Sequence, residues 1–186
     1  MAIFVQALRE SWRALLGWAA ALVAVLTLYL SFYSSMGTME GMQAMMDQLP
    51  QAMVDAFGFE DIGSGAGWAQ STFFGLLGLF ILGAAGISWG ARATAGDEES
   101  GMLELTLAHR VTRTQVYVQR FLAILVRLAL LGAAVTAALL VLDAAVGLEL
   151  DHANVAPQML AYLGTGVLSA AVALALGAAT GHRGWA

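Results

Sequence analysis

The chain has 186 residues, 60% of them hydrophobic and only 11% charged, with a formal net charge of −5. A soluble domain of this size could not cover so much apolar surface, so lipid is the expected solvent and an all-α polytopic transmembrane bundle the expected fold. The absence of cysteine removes disulfides, thiolate metal centres and cysteine nucleophiles from consideration, and the negative balance argues against nucleic acid as a partner.

A helix rises 1.5 Å per residue, so about 20 apolar residues cross a hydrocarbon core of about 30 Å. Residues 1–13 come first. They place Ile3, Phe4, Ala7, Leu8 and Trp12 at helical spacing, with Gln6, Arg9, Glu10 and Arg13 elsewhere. That pattern predicts an interfacial helix leading into the first span, which is expected near 14–33. The apolar run is long and lacks a small-residue cleavage site, so no cleaved signal peptide is expected.

The stretch from Met36 to Phe57 reads as a second amphipathic segment divided by Pro50. Met36, Met39, Met42 and Met45 recur there every three residues. Thioethers are soft ligands that favour Cu(I), and this spacing keeps them on one helical face. Methionine is equally an adaptable apolar filler, and the acids nearby are hard ligands, so copper is the weaker reading.

A second span is expected near 68–89, a third near 121–146 and a fourth near 159–180. Gly75, Gly78, Gly83, Gly86 and Gly90 dot the second span, and Gly164, Gly166 and Gly177 the fourth. Small residues let helix backbones approach closely in lipid, and close packing is the expected reason for them. Arg127, about two turns into the third span, is expected to snorkel to the headgroups, with pairing inside the bundle as the alternative. Asp143 falls near the other end of that helix, where partial hydration lowers its cost. His109, His152 and His182 lie on different loops, so no histidine zinc centre is expected. Ser71, Ser88 and Ser169 have no embedded base to activate them, which argues against intramembrane hydrolysis.

The loops orient the helices. Arg9 and Arg13 precede the first span, Arg92, Arg110, Arg113 and Arg120 lie between the second and third, and Arg183 lies in the tail. The intervening loops carry Glu40, Asp47, Asp55, Glu60 and Asp61, then Glu149 and Asp151, and no basic residue. The positive-inside rule therefore predicts that the N-terminus, the central loop and the tail are cytoplasmic.

The central loop, residues 91–120, opens on Gly96-Asp97-Glu98-Glu99, where acids suit the start of a helix by opposing its dipole. After Gly101 come Met102, Leu103, Leu105 and Leu107, a short apolar set. Thr112 is expected to cap a helix running through Gln115 into the third span. A short helix with an apolar face, flanked by charges between two spans, suits the docking of a cytoplasmic partner. The blander alternative is a solvated loop with ordinary flanking charges.

The run Glu98-Glu99-Ser100-Gly101-Met102-Leu103-Glu104-Leu105, followed by Arg113, resembles the segment after the second span in type-2 ABC exporter permeases. Arg110 stands where a proline is common in that family. Leu49-Pro50, Phe57-Gly58, Asp61 and Gly67-Trp68 are similar to the family's first outer loop, and the N-terminal interfacial helix also fits. The resemblance covers nearly the whole chain, read as a single transmembrane domain, 1–186. It implies a permease of the prokaryotic cytoplasmic membrane whose central loop is a coupling helix seated on a separate ATP-binding subunit. Two permease subunits, identical or different, would pair with two such ATPases.

Leu103, Leu105 and Leu107 would then supply apolar docking beside Gly101, and Glu98, Glu99, Glu104, Arg110 and Arg113 the charged contacts. Without lysine the chain cannot carry a phosphate-binding Gly-x-x-x-x-Gly-Lys-Ser/Thr loop, so ATP and Mg are expected on the partner and no catalytic residue here. The family usually has six spans, and this chain is expected to lack the last two. The alternative function is a non-transporting membrane scaffold or assembly protein that uses the same loop, with a copper-handling protein behind it.

Overall fold

The computed structural model describes residues 2–35, 50, 52–54, 64–99, 101 and 111–182. Those residues are mostly helical, with no strand among them. Helix α1 spans Ala2–Glu10 and α2 spans Trp12–Ser35. Helix α3 runs Gly65–Gly96, α4 runs Arg113–Val146 and α5 runs His152–Thr180. Helices α2 to α5 are each long and apolar enough to cross a membrane, and the fold is an all-α polytopic bundle.

Local chemistry explains the helix ends. Ser64 caps α3, its Oγ accepting the Gly67 amide at 2.9 Å. Asp151 does the same for α5, accepting the Ala153 amide at 3.0 Å. Thr112 and Gln115 form a reciprocal capping box at the start of α4. The Gln115 amide donates to Thr112 Oγ1, and the Thr112 amide donates to Gln115 Oε1, each at 3.2 Å. The cap expected at Thr112 is therefore present. Gly147 and Gly181 adopt positive φ of 70° and 68° directly after α4 and α5, the left-handed stop that glycine allows without steric cost.

The helices outrun the hydropathy windows. Helix α4 starts at Arg113 rather than Phe121, α5 at His152 rather than Met159, and α3 continues past Trp89 to Gly96. At 1.5 Å per residue α4 is about 50 Å long, more than a hydrocarbon core requires. Hydropathy registers only the part of a helix that suits lipid, whereas caps and backbone hydrogen bonds set its true ends.

Helix α3 contains two π-helical stretches, Gln70–Leu77 and Arg92–Gly96. Such widening displaces carbonyls from their usual intrahelical partners, and in lipid they must find others.

Two compact units divide the chain. One comprises Met1–Trp18, Leu82–Gly132 and Leu163–Ala186; the other comprises Ala19–Ile81 and Ala133–Tyr162. In the first, the glycines of α3 and α5 do what small residues in lipid are expected to do. A β-carbon on Gly86 would lie 2.6 Å from the Gly166 carbonyl oxygen, one on Gly90 would strike the Ala170 carbonyl, and one on Gly177 would strike Thr94. Gly164 differs, since nothing lies within 4 Å of the place its β-carbon would take.

In the second unit Leu22, Leu26 and Leu30 form a fully buried stripe on α2. Trp68 Nε1 donates to the Tyr29 carbonyl at 2.9 Å. Phe73, Phe74 and Tyr162 form a ring cluster, and the Tyr162 hydroxyl donates to the Gly78 carbonyl at 2.8 Å, just past the first π-helical stretch.

Candidate functional site

Of the residues singled out for partner coupling, Glu98 and Glu99 lie in the helical turn Asp97–Glu99 that follows α3, and both are exposed. Gly101 follows at φ 70°, its amide bonded to the Glu98 carbonyl at 3.1 Å. The glycine of the acidic-Gly motif thus ends a helical turn with a left-handed residue. Arg113 is the exposed first residue of α4. Leu103, Glu104, Leu105, Leu107 and Arg110 lie outside the described residues, as do Met36, Met39, Met42 and Met45.

The described ends of this segment are anchored in the first unit. His182 Nδ1 sits 3.7 Å from Glu99 Oε1, and the Glu98 carboxylate lies against Gly181. The acidic pair therefore meets the C-terminal end of α5. On the other side of the segment, the Thr112–Gln115 box joins it to α4. These anchors tie the segment to three helices: α3 by chain continuity, α5 by the acidic pair, and α4 by the cap.

A second polar site in the same unit is built from three helix faces. On α4, Arg120, Ile124 and Arg127 stand at i, i+4 and i+7, so they share one face. On α1, Ile3, Gln6, Ala7 and Glu10 do the same, and on α3 so do Trp89, Arg92 and Ala93. All of them line one cavity of about 130 Å³. Arg120 is buried and donates from Nη1 to the Ala93 carbonyl at 2.7 Å, within the second π-helical stretch. That bond satisfies a carbonyl of the kind the π geometry displaces.

Arg127 is only 6% exposed. Its Nη2 donates to the Ala7 carbonyl, and its guanidinium lies 5.6 Å from the centre of the Trp89 ring. The structure gives Arg127 partners inside the bundle, the alternative to snorkelling. Arg127 is held within its unit by a backbone carbonyl of α1 and an aromatic face of α3. The seven-residue separation of Arg120 and Arg127 was a readable sign of a shared face. The partners from α1 and α3 were not readable, since no local pattern brings them together.

In the second unit, Asp143 is 3.0 Å from His152 Nε2 and accepts the Leu150 amide at 3.3 Å, so it closes the α4–α5 turn. Its side chain is 13% exposed and that of His152 is 68% exposed. Among the described residues no group of three or more His, Cys, Asp or Glu is arranged to hold a metal.

The profile of the ABC-2 family transporter protein matches residues 1–183 of the chain. No curated protein and no solved structure matches it. Four membrane-length helices and a family match over nearly the whole length agree, and the chain belongs to the ABC-2 transporter family as a membrane permease that works with an ABC ATPase.

Proposed function

We propose that this permease couples ATP hydrolysis by a separate ATPase subunit to export of a substrate across the cytoplasmic membrane of a prokaryote. In this reading residues 98–113 are the coupling segment. Glu98, Glu99, Glu104, Arg110 and Arg113 make the charged contacts, Leu103, Leu105 and Leu107 the apolar ones, and Gly101 the turn between them. ATP and Mg sit on the partner, and a second permease subunit, identical or different, completes the membrane part. The N-terminus, the segment and the tail face the cytoplasm, which the arginine distribution supports.

The observation that carries the reading is the anchoring of the segment's described ends. Glu98 and Glu99 meet Gly181 and His182 at the end of α5, and Thr112 is locked to Gln115 at the start of α4. A partner docked there would act on α3, α4 and α5 through these described ends. The chain has no lysine for a phosphate-binding loop, so hydrolysis falls to the partner.

Co-purification with a separately encoded ABC ATPase tests the proposal. Charge reversal at Glu104 and Arg113, or deletion of residues 98–113, is expected to abolish capture. Unchanged capture in all of these variants defeats the coupling assignment. Reconstituted with its partner, the permease is expected to stimulate ATP hydrolysis; capture without stimulation is the behaviour of a scaffold.

A further inference from the structure

A cavity of about 120 Å³ lies wholly within the second unit, between α3, α4 and the start of α5. Its floor is apolar, with Ala69, Phe74 and Leu139 all buried. Its rim is polar. Gln70 comes from α3, while Asp151, at the cap of α5, and Gln158, seven residues on, stand on one side of that helix. Among the described residues the carboxamides of Gln70 and Gln158 bond to no other group, so both are open to a ligand. Asp151 Oδ1 accepts the Ala153 amide at 3.0 Å, and Oδ2 accepts Nδ2 of Asn154 at 2.9 Å. A carboxylate oxygen has two acceptor sites, so each keeps one for a ligand.

The charge of the unit selects what enters. Residues 19–81 and 133–162 include eight carboxylates and no arginine or lysine anywhere in their sequence. The unit's one histidine, His152, sits 3.0 Å from Asp143. Asp151 therefore has no arginine or lysine counter-ion to draw on from its own unit. The N-terminus of α5 offsets about half of its charge, and exposed Glu149 nearby adds a whole one. An anion is repelled. A divalent ion such as Ca²⁺ wants about six or more oxygens, which one carboxylate above an apolar floor does not supply. A neutral polar molecule would satisfy the amides and leave the carboxylate unmatched. An ammonium group on a short apolar body matches both parts: its N–H donors suit the rim oxygens, and its body suits the floor.

We propose that this cavity binds a small organic ammonium ion. The Asp151 carboxylate and the carboxamide oxygens of Gln70 and Gln158 accept from the ammonium, and Phe74 and Leu139 pack against the body. The site shares no residue with the segment 98–113, so its failure leaves the coupling assignment standing.

Equilibrium dialysis of the full-length purified chain in nonionic detergent tests this with three probes on one aromatic body: 2-phenylethylammonium, 2-phenylethanol and 3-phenylpropionate. The ammonium is expected to bind about tenfold more tightly than the alcohol, a margin that a charge-assisted hydrogen bond supplies, and the carboxylate is not expected to bind. Asparagine caps a helix as well as aspartate does, so Asp151→Asn keeps the start of α5 and removes the charge. It is expected to bring the ammonium down to the affinity of the alcohol while the alcohol binds as before, a pattern misfolding cannot mimic. Glu149→Gln removes an equal charge outside the lining, and solvent screening is expected to hold its effect on the ammonium below about twofold. Absence of ammonium binding, equal binding of the alcohol, an undiminished ammonium preference in Asp151→Asn, or an equal loss in Glu149→Gln overturns the proposal.

Discussion

The unit made of Met1–Trp18, Leu82–Gly132 and Leu163–Ala186 contains all eight arginines and five carboxylates, a balance of +3. The unit made of Ala19–Ile81 and Ala133–Tyr162 contains eight carboxylates and no basic residue, a balance of −8. Their buried polar groups differ in the same way. In the first unit two arginines, Arg120 and Arg127, are buried. In the second, the buried donors Trp68 and Tyr162 are neutral, and each ends on a backbone carbonyl. Neutral donors on carbonyls are what a lipid-immersed fold needs to satisfy an irregular helix such as α3. Arg120 meets the same need at the Ala93 carbonyl of α3, so in the first unit a charged donor does what neutral donors do in the second. The contrast is between charged and neutral donors that close backbone carbonyls.

The largest expected effect concerns the packing beneath this contrast. Gly86→Leu would drive a side chain into the Gly166 backbone, which no rotamer change relieves. A loss of about 3 kcal/mol is expected, read as an earlier melting transition in detergent. Gly164→Ala, with open space around its β-carbon, is expected to melt no earlier than the native chain. If both melt alike, close glycine packing does not hold the first unit together.

Tyr162→Phe comes next. It leaves the Gly78 carbonyl without its buried donor beside the π-helical stretch, for an expected loss of about 1–2 kcal/mol. Thr112→Ala should cost about 1 kcal/mol, confined to the first turn of α4. Faster hydrogen exchange at the amide of Gln115, without change in the rest of α4, is the signature to look for.

The smallest effect tests the contrast most directly. Arg127→Met replaces a buried charge by an apolar side chain of similar length, and such replacements are often neutral or stabilising. Its melting is expected to stay within about 1 kcal/mol of the native chain. A loss larger than that of Tyr162→Phe would mean that the first unit uses its buried arginine as a structural strut.

Much of the fold is legible in the residues because its causes are local. Four apolar runs demand four membrane-length helices, and the Thr112-x-x-Gln115 box announces a helix start wherever it is placed. The acidic-Gly-Leu-Glu segment carried the family resemblance, and the profile match over residues 1–183 agrees with it. Helix ends were less legible, since hydropathy falls away before hydrogen bonding does: α5 passes through Pro157 on its way back to His152.

What the amino-acid order determined by itself is the solvent, the number of membrane-length helices, the separation of arginines from acids along the chain, and the lack of any lysine for an ATP site. Tertiary structure alone decided where Arg127 goes. The Ala7 carbonyl and the Trp89 ring hold it in the bundle, and both come from chain segments remote in sequence. The same convergence of α1, α3 and α4 made a cavity out of three faces that are unremarked one at a time. Helical periodicity states which residues share a face; only packing states which faces meet.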